Sequence, residues 1–166
     1  MAMKLPILTT LLLALSLLLG TSGCSKKQQD AAPATNGSYK LNGELIKCLV
    51  TAQTYSYTSG SQPIDFMDVY FTTTPQPASG EEVLTILFAK PAGQPTYQMT
   101  DIAADRCRYA AIKGRVLFNH LATAVAGSNN TYSGVFSGTA NTRPGTTPQV
   151  DYYFTDGVYT NVQPHP

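Results

Sequence analysis

Short runs in which apolar and polar residues alternate, punctuated by glycine, proline and asparagine, fill the chain from residue 37 onward. A period of two is the mark of a half-buried strand. The stretch GSYKL meets Asn42-Gly43 and then ELIKCLVTAQTYSY, and Asn-Gly between apolar runs predicts a two-residue hairpin, because both central residues must take positive φ. IDFMDVYFTTT follows; its apolar positions Ile64 and Phe66, then Val69 and Phe71, change parity near Met67-Asp68, as a β-bulge would cause. EEVLTILFAK is the most apolar run and predicts a central strand, with Val83, Thr85, Leu87 and Ala89 on one side and Leu84, Ile86 and Phe88 on the other. In TYQMTDIAADRCRYAAIKG, Ile102, Arg106, Tyr109 and Ile112 recur at helical spacing behind Asp101, while Cys107, Tyr109 and Ala111 would share one side of a strand; a turn feeding a strand is the favoured reading. RVLFNHLATAV predicts a further strand. TYSGVFSGTA places Tyr132, Gly134, Phe136 and Gly138 on one face and Val135 and Ser137 on the other. QVDYYFTDGVYTNV ends the pattern, with Asp156-Gly157 as a turn or bulge.

The chain begins differently. Lys4 precedes an uncharged apolar run over residues 5–19. Some fifteen residues are short for a bilayer span, which needs roughly 20, but they suit the core of an export signal. Thr21, Ser22 and Gly23 lead to Cys24, and the stretch resembles a bacterial lipobox, with Thr21 where leucine is usual. That resemblance implies cleavage before Cys24 and acylation of its thiol and new amino terminus, giving a membrane anchor stronger than one acyl chain provides. Residues 1–23 are then the signal peptide. Residues 24–36 are the lipidated cysteine and a flexible tether with no aromatic residue to bury, its ends about 20 Å apart. Residues 37–166 form one domain, long enough for a single core.

Composition agrees with the strand pattern: ten tyrosines, six phenylalanines and thirteen glycines accompany many threonines. An all-β fold follows, an antiparallel β-sandwich of about 8–10 strands, with a monomer as the default state. Without Lys4, ten basic side chains face ten acidic ones. A balance this even speaks against a nucleic-acid partner. Arg106, Arg108, Lys113 and Arg115 form the one basic cluster, beside Asp101 and Asp105, and suit a solvated face.

Three segments carry a family resemblance: YKLNGELIKC, SGVFSGTA and FTDGVYTNV are similar, in order, to parts of a family of small Bacteroidota lipoproteins of unknown function. Its members begin with a strand leading to an Asn-Gly turn and end with two Gly-containing strands. The resemblance implies a β-sandwich and a cell-envelope location, with no catalytic residues to carry over. Ser25 after the cysteine, where aspartate would favour inner-membrane retention in many sorting systems, implies the outer membrane, with the periplasmic or outward orientation open.

Catalytic chemistry finds little support. No G-x-S-x-G elbow occurs. Cys48 or Cys107 with His120 makes no recognisable motif, and no metal spacing or cofactor signature is present. Cys48 and Cys107 are candidates for a disulfide in an exported compartment, with two separate buried thiols as the alternative. His165 lies in a QPHP tail expected to fray. The expected protein is therefore a non-enzymatic, lipid-anchored envelope module with a structural or interaction role. The alternative is a sandwich that binds a carbohydrate or small ligand through tyrosines such as Tyr55, Tyr57, Tyr152, Tyr153 and Tyr159, with Asp151 nearby. A concave site with two or more exposed rings beside an Asp or Asn would favour the second reading.

Overall fold

The computed structural model describes residues 35–59, 62–75, 83–100, 107–109, 115–116, 118–141 and 150–166. The signal, Cys24, most of the tether and the helix-or-strand choice over 101–106 and 110–114 lie outside the described residues. No helix among the described residues is long and apolar enough to cross a membrane.

The fold is all-β. Among the described residues eleven strands occur in chain order: β1 (Gly37–Leu41), β2 (Glu44–Ser59), β3 (Gln62–Thr72), β4 (Val83–Pro91), β5 (Arg108–Tyr109), β6 (Arg115–Val116), β7 (Phe118–Ala122), β8 (Val125–Ala126), β9 (Tyr132–Asn141), β10 (Asp151–Val162) and β11 (Pro164–His165). A 3₁₀ turn at Ser128–Asn130 precedes β9. The strands follow one continuous hydrogen-bonded path, β6-β5-β4-β3-β2-β1-β10-β9-β7, with β8 also on β9 and β11 also on β2. All pairings are antiparallel except β11 with β2.

The path curls strongly. Phe71 on β3 and Phe136 on β9 are four strand spacings apart along it, about 19 Å in a flat sheet, yet their ring centroids are 4.6 Å apart. Tyr109 on β5 and Phe154 on β10 are five spacings apart and meet at 5.0 Å. The two ends of the path, β6 and β7, are separated in sequence by one residue. The strands thus form one curled sheet whose two halves bury their facing residues together. Strand β2 makes the corner: positions 44–48 pair with β1 and positions 49–59 with β3.

The side-chain amide of Asn36 holds this corner. It accepts from Val50 N at 2.6 Å and donates to Val50 O at 2.9 Å, so it extends the β1 ladder beyond Gly37, the first β1 residue. Its own carbonyl accepts from Thr160 N at 2.9 Å. Asn36, assigned to the tether on composition, is tied into the body.

The core gathers Tyr39, Val50, Met67, Val69, Phe71, Leu84, Ile86, Phe88, Tyr109, Phe136, Phe154 and Tyr159. Tyr39 lies among Phe71, Phe136 and Phe154, with centroids 6.5, 5.8 and 5.7 Å away, the spacing at which ring edges meet ring faces favourably. The Asn-Gly hairpin forms as the sequence predicts: Asn42 has φ 51° and Gly43 φ 88°, and Leu41 pairs with Glu44. The bulge expected in β3 does not occur, since its register with β2 and β4 is unbroken. The change of parity has another cause: Met67, Val69 and Phe71 fill the core, while Phe66 on the opposite face is buried with Leu87 and Ala89 in a second, smaller cluster.

Bulges act instead in β10. Its register on β9 shifts between Phe154 and Gly157 and again between Tyr159 and Val162, and Asp156 and Asn161 take φ of 52° and 51° within those shifts. Each bulge changes which parity faces inward. Phe154, Tyr159 and Val162 are all buried for that reason.

Gly134 pairs with Tyr159 across β9 and β10. A Cβ at Gly134 would lie 1.9 Å from Thr123 O and 2.8 Å from the Tyr159 ring. The absence of a side chain lets that ring cross β9, where its hydroxyl donates to Thr123 O at 2.7 Å. The carboxyl end of the described body does not fray: Pro164 and His165 pair with Ala52 and Gln53, and Thr54 Oγ1 donates to His165 O at 3.3 Å.

Candidate functional site

The outer face of β2, β3 and β4 departs from the polar surface expected of a sheet with one solvated side. Its register places Gln53, Asp68 and Leu87 in one cross-strand row, Thr51, Tyr70, Thr85 and Arg108 in the next, and Tyr55, Phe66 and Ala89 on the other side. Phe66, Leu87 and Ala89 are buried here although they point away from the main core. The Tyr55 ring lies stacked on Phe66, centroids 5.4 Å apart and planes 22° from parallel.

Beside that ring opens a depression of about 480 Å³ lined by Tyr55, Asp68, Tyr70, Thr85, Leu87 and Arg108. The Tyr70 hydroxyl donates to Asp68 Oδ2 at 3.1 Å. Burial, and secondarily the Asp68 charge, pushes the Tyr70 phenol up to about 12, so it remains a protonated donor at neutral pH. Arg108 is exposed, and its guanidinium makes no hydrogen bond or ion pair with the described residues. The wall therefore offers an aromatic face, a carboxylate braced by a phenol, a threonine hydroxyl and a guanidinium.

A second depression, of about 340 Å³, lies between the end of β4 and residues 94–100. Lys90 organises this end: its ammonium donates to Gln94 O at 2.7 Å, lies 3.5 Å from Asp65 Oδ2 and sits 4.9 Å over the Tyr97 ring. Ser56 Oγ donates to Asp65 Oδ1 at 2.6 Å. These contacts fasten the chain after β4 against the sheet and leave Lys90 committed to protein partners.

The tyrosines proposed from sequence separate into different environments. Tyr55 and Tyr57 are exposed on the outer face of β2, at 38% and 62% of full accessibility. Tyr153 is exposed on β10, and its hydroxyl donates to Asp151 Oδ2 at 3.3 Å. Tyr152 is half-buried against the core, 6.0 Å from the Tyr109 ring. Tyr159 is a core residue with 1% accessibility and a satisfied hydroxyl, so it is no ligand contact; the bulge at Asp156 turns it inward. Of the proposed set, only Tyr55 lines the depression. Sequence reasoning missed Asp68, Tyr70, Thr85 and Leu87 as site residues and took Arg108 for solvated surface. The usable signal was register: positions two apart on β3 and β4 share a face.

Cys48 and Cys107 are both buried and are not joined in a disulfide. Cys48 sits opposite Gly37 in the β1 half of β2, whereas Cys107 precedes β5, with β3 and β4 between them on the path. Burial pushes both thiols up to about 11, which leaves almost no thiolate at neutral pH. No group of three or more His, Cys, Asp or Glu side chains suited to a metal ion occurs among the described residues. No family model, curated protein or solved structure matches the chain.

Proposed function

We propose that the protein is a non-enzymatic, lipid-anchored module of the bacterial cell envelope that binds a hydroxylated small ligand, a glycan by class, on the outer face of β2, β3 and β4. One observation carries the reading: Tyr55, Asp68, Tyr70 and Arg108 converge on one open depression, where a ring face stands beside fixed donors and acceptors. A sugar offers an apolar C–H face and a rim of hydroxyls, and such a wall meets both. The platform is stiff, because β3 and β4 carry buried side chains on both faces.

The anchor rests on residues 5–24 and their lipobox resemblance. Acylation of Cys24 would hold the body at the outer membrane through the tether, as in the small Bacteroidota lipoproteins that the strand segments resemble. Glycan-array binding of the full-length protein tests the ligand reading. We expect binding to a restricted set of glycans, lost in Tyr55→Ala while its β-type circular dichroism and cooperative melt persist. Absence of binding to any glycan refutes it. Fractionation of Cys24→Ala tests the anchor: the substituted protein should leave the membrane fraction, and continued detergent-dependent extraction defeats the anchoring claim.

A further inference from the structure

Building on the ligand-binding reading, we infer that the β2–β5 depression selects an acidic glycan, with a uronate carboxylate on the Arg108 guanidinium and ring hydroxyls on the Asp68–Tyr70 pair. Asp68 and Arg108 line the same depression, yet no ion pair joins them. Their register explains the gap: Arg108 pairs with Thr85, while Asp68 pairs with Leu87, one same-face position farther along β4 and on its other side. Opposite charges held apart on one wall suit an occupant that is itself polarised.

The chemistry at each end is distinct. Guanidinium presents a planar fork that matches a carboxylate in two parallel hydrogen bonds, which an ammonium cannot do. The Tyr70 hydroxyl, which donates to Asp68 Oδ2, keeps its own oxygen as an acceptor, and a sugar hydroxyl is a natural donor to it. Asp68 repels a second anion, so the ligand's charge is directed to the Arg108 end and its neutral part toward Tyr55. Tyr55 on β2 and Arg108 on β5 are three strand spacings apart, about 14 Å, which is wider than a single sugar ring. An oligosaccharide fits that span better than a free hydroxy acid.

Calorimetric titration of the full-length protein tests this with an oligogalacturonate, its carboxyl-reduced neutral counterpart and monomeric galacturonate. The oligogalacturonate should bind about ten- to hundredfold more tightly than the neutral oligomer, the range of one charge-assisted hydrogen-bonded contact. Arg108→Gln should erase that ratio while leaving the melting temperature unchanged, since the side chain is exposed. The monomer should bind more weakly than the oligomer. Equal affinity for the acidic and neutral oligomers overturns the selectivity and leaves the glycan-binding reading standing. Monomer binding as tight as the oligomer's overturns the assignment to a glycan in favour of a small hydroxy acid. Failure of both oligomers to bind, with other glycans bound on the array, overturns this inference and leaves the glycan-binding reading standing.

Discussion

Asn36 is the residue on which the structure and the composition of the chain make opposite demands. By composition it is the last residue of a loose tether; by geometry its amide clamps the corner of β2. Replacing it with alanine removes the bonds to Val50 N and Val50 O, at 2.6 and 2.9 Å. Val50 is 3% accessible, so water reaches its abandoned groups poorly. Each buried polar group left without a partner costs about 1–3 kcal/mol. Asn36 is itself only partly buried, which admits some solvent from one side, and the expected loss is about 2–4 kcal/mol. For a body of this size that corresponds to a fall in melting temperature of roughly 10 °C. Asn36→Asp keeps the acceptor for Val50 N but sets a carboxylate oxygen against Val50 O, so it should not rescue. Thr35→Ala, at an exposed neighbour, serves as the control. Thermal and urea denaturation followed by circular dichroism decide the matter. If Asn36→Ala melts within about 1 °C of the parent, a difference worth only a few tenths of a kcal/mol, the corner clamp contributes nothing and the reasoning is wrong.

Three further outcomes follow from the packing. Gly134→Ala should destabilise by several kcal/mol or prevent folding, because the Thr123 carbonyl that its Cβ would strike is backbone and cannot rotate away; near-parental urea stability would contradict the close approach. Tyr159→Phe should cost about 1–2 kcal/mol by leaving Thr123 O without its donor, and should leave glycan affinity unchanged, which separates this tyrosine from Tyr55. Alkaline pH should weaken the fold. Burial pushes Cys48 and Cys107 up to about 11 and Tyr97 up to about 12, so the folded chain holds these protons more tightly than the unfolded chain does. The resulting stability is complete below the ordinary thiol and phenol values and is lost as pH rises from about 9 toward 12, by a few kcal/mol. A urea midpoint that stays constant between about pH 8 and about pH 10.5 would contradict this linkage.

Local chemistry made some of the fold legible and left other parts closed. The β1–β2 hairpin was readable because Asn42-Gly43 satisfies a turn that most residue pairs cannot. Strand β9 was readable because Tyr132 and Phe136 alternate with exposed Val135. The two faces of β4 were assigned correctly for the same reason. Pairing of β10 with β1 was not readable, since contacts over more than a hundred residues leave no local trace. Tyr159 was misplaced because a bulge reverses parity, and Asp156-Gly157 marked a turn or a bulge without choosing between them. In β3 the error ran the other way: a bulge was inferred from a slip in alternation that came from burial on both faces. The site was hidden for a related reason, since Tyr55, Asp68, Thr85 and Arg108 come from four strands that only the register brings together.

That failure of alternation is itself informative. An antiparallel sheet with one solvated face has no structural need for Phe66 and Leu87 on its outer side, and a polar residue at either place would leave the main core intact. Their burial fixes β3 and β4 from both sides and gives Tyr55 an aromatic floor on which to lie flat. The exposed valines of the other half, Val135 and Val158, face each other across β9 and β10 in a row completed by Ser38 and Lys47, and that row holds no aromatic ring. The sheet thus spends hydrophobic side chains outside its core at the one face where a ring, a carboxylate–phenol pair and a guanidinium meet. Substituting that floor should therefore separate the two roles: Phe66→Leu keeps the volume of a buried apolar side chain near its original value and should cost no more than about 1–2 kcal/mol, yet by removing the ring beneath Tyr55 it should weaken glycan binding. Unchanged affinity in Phe66→Leu would mean that the second cluster serves stability alone.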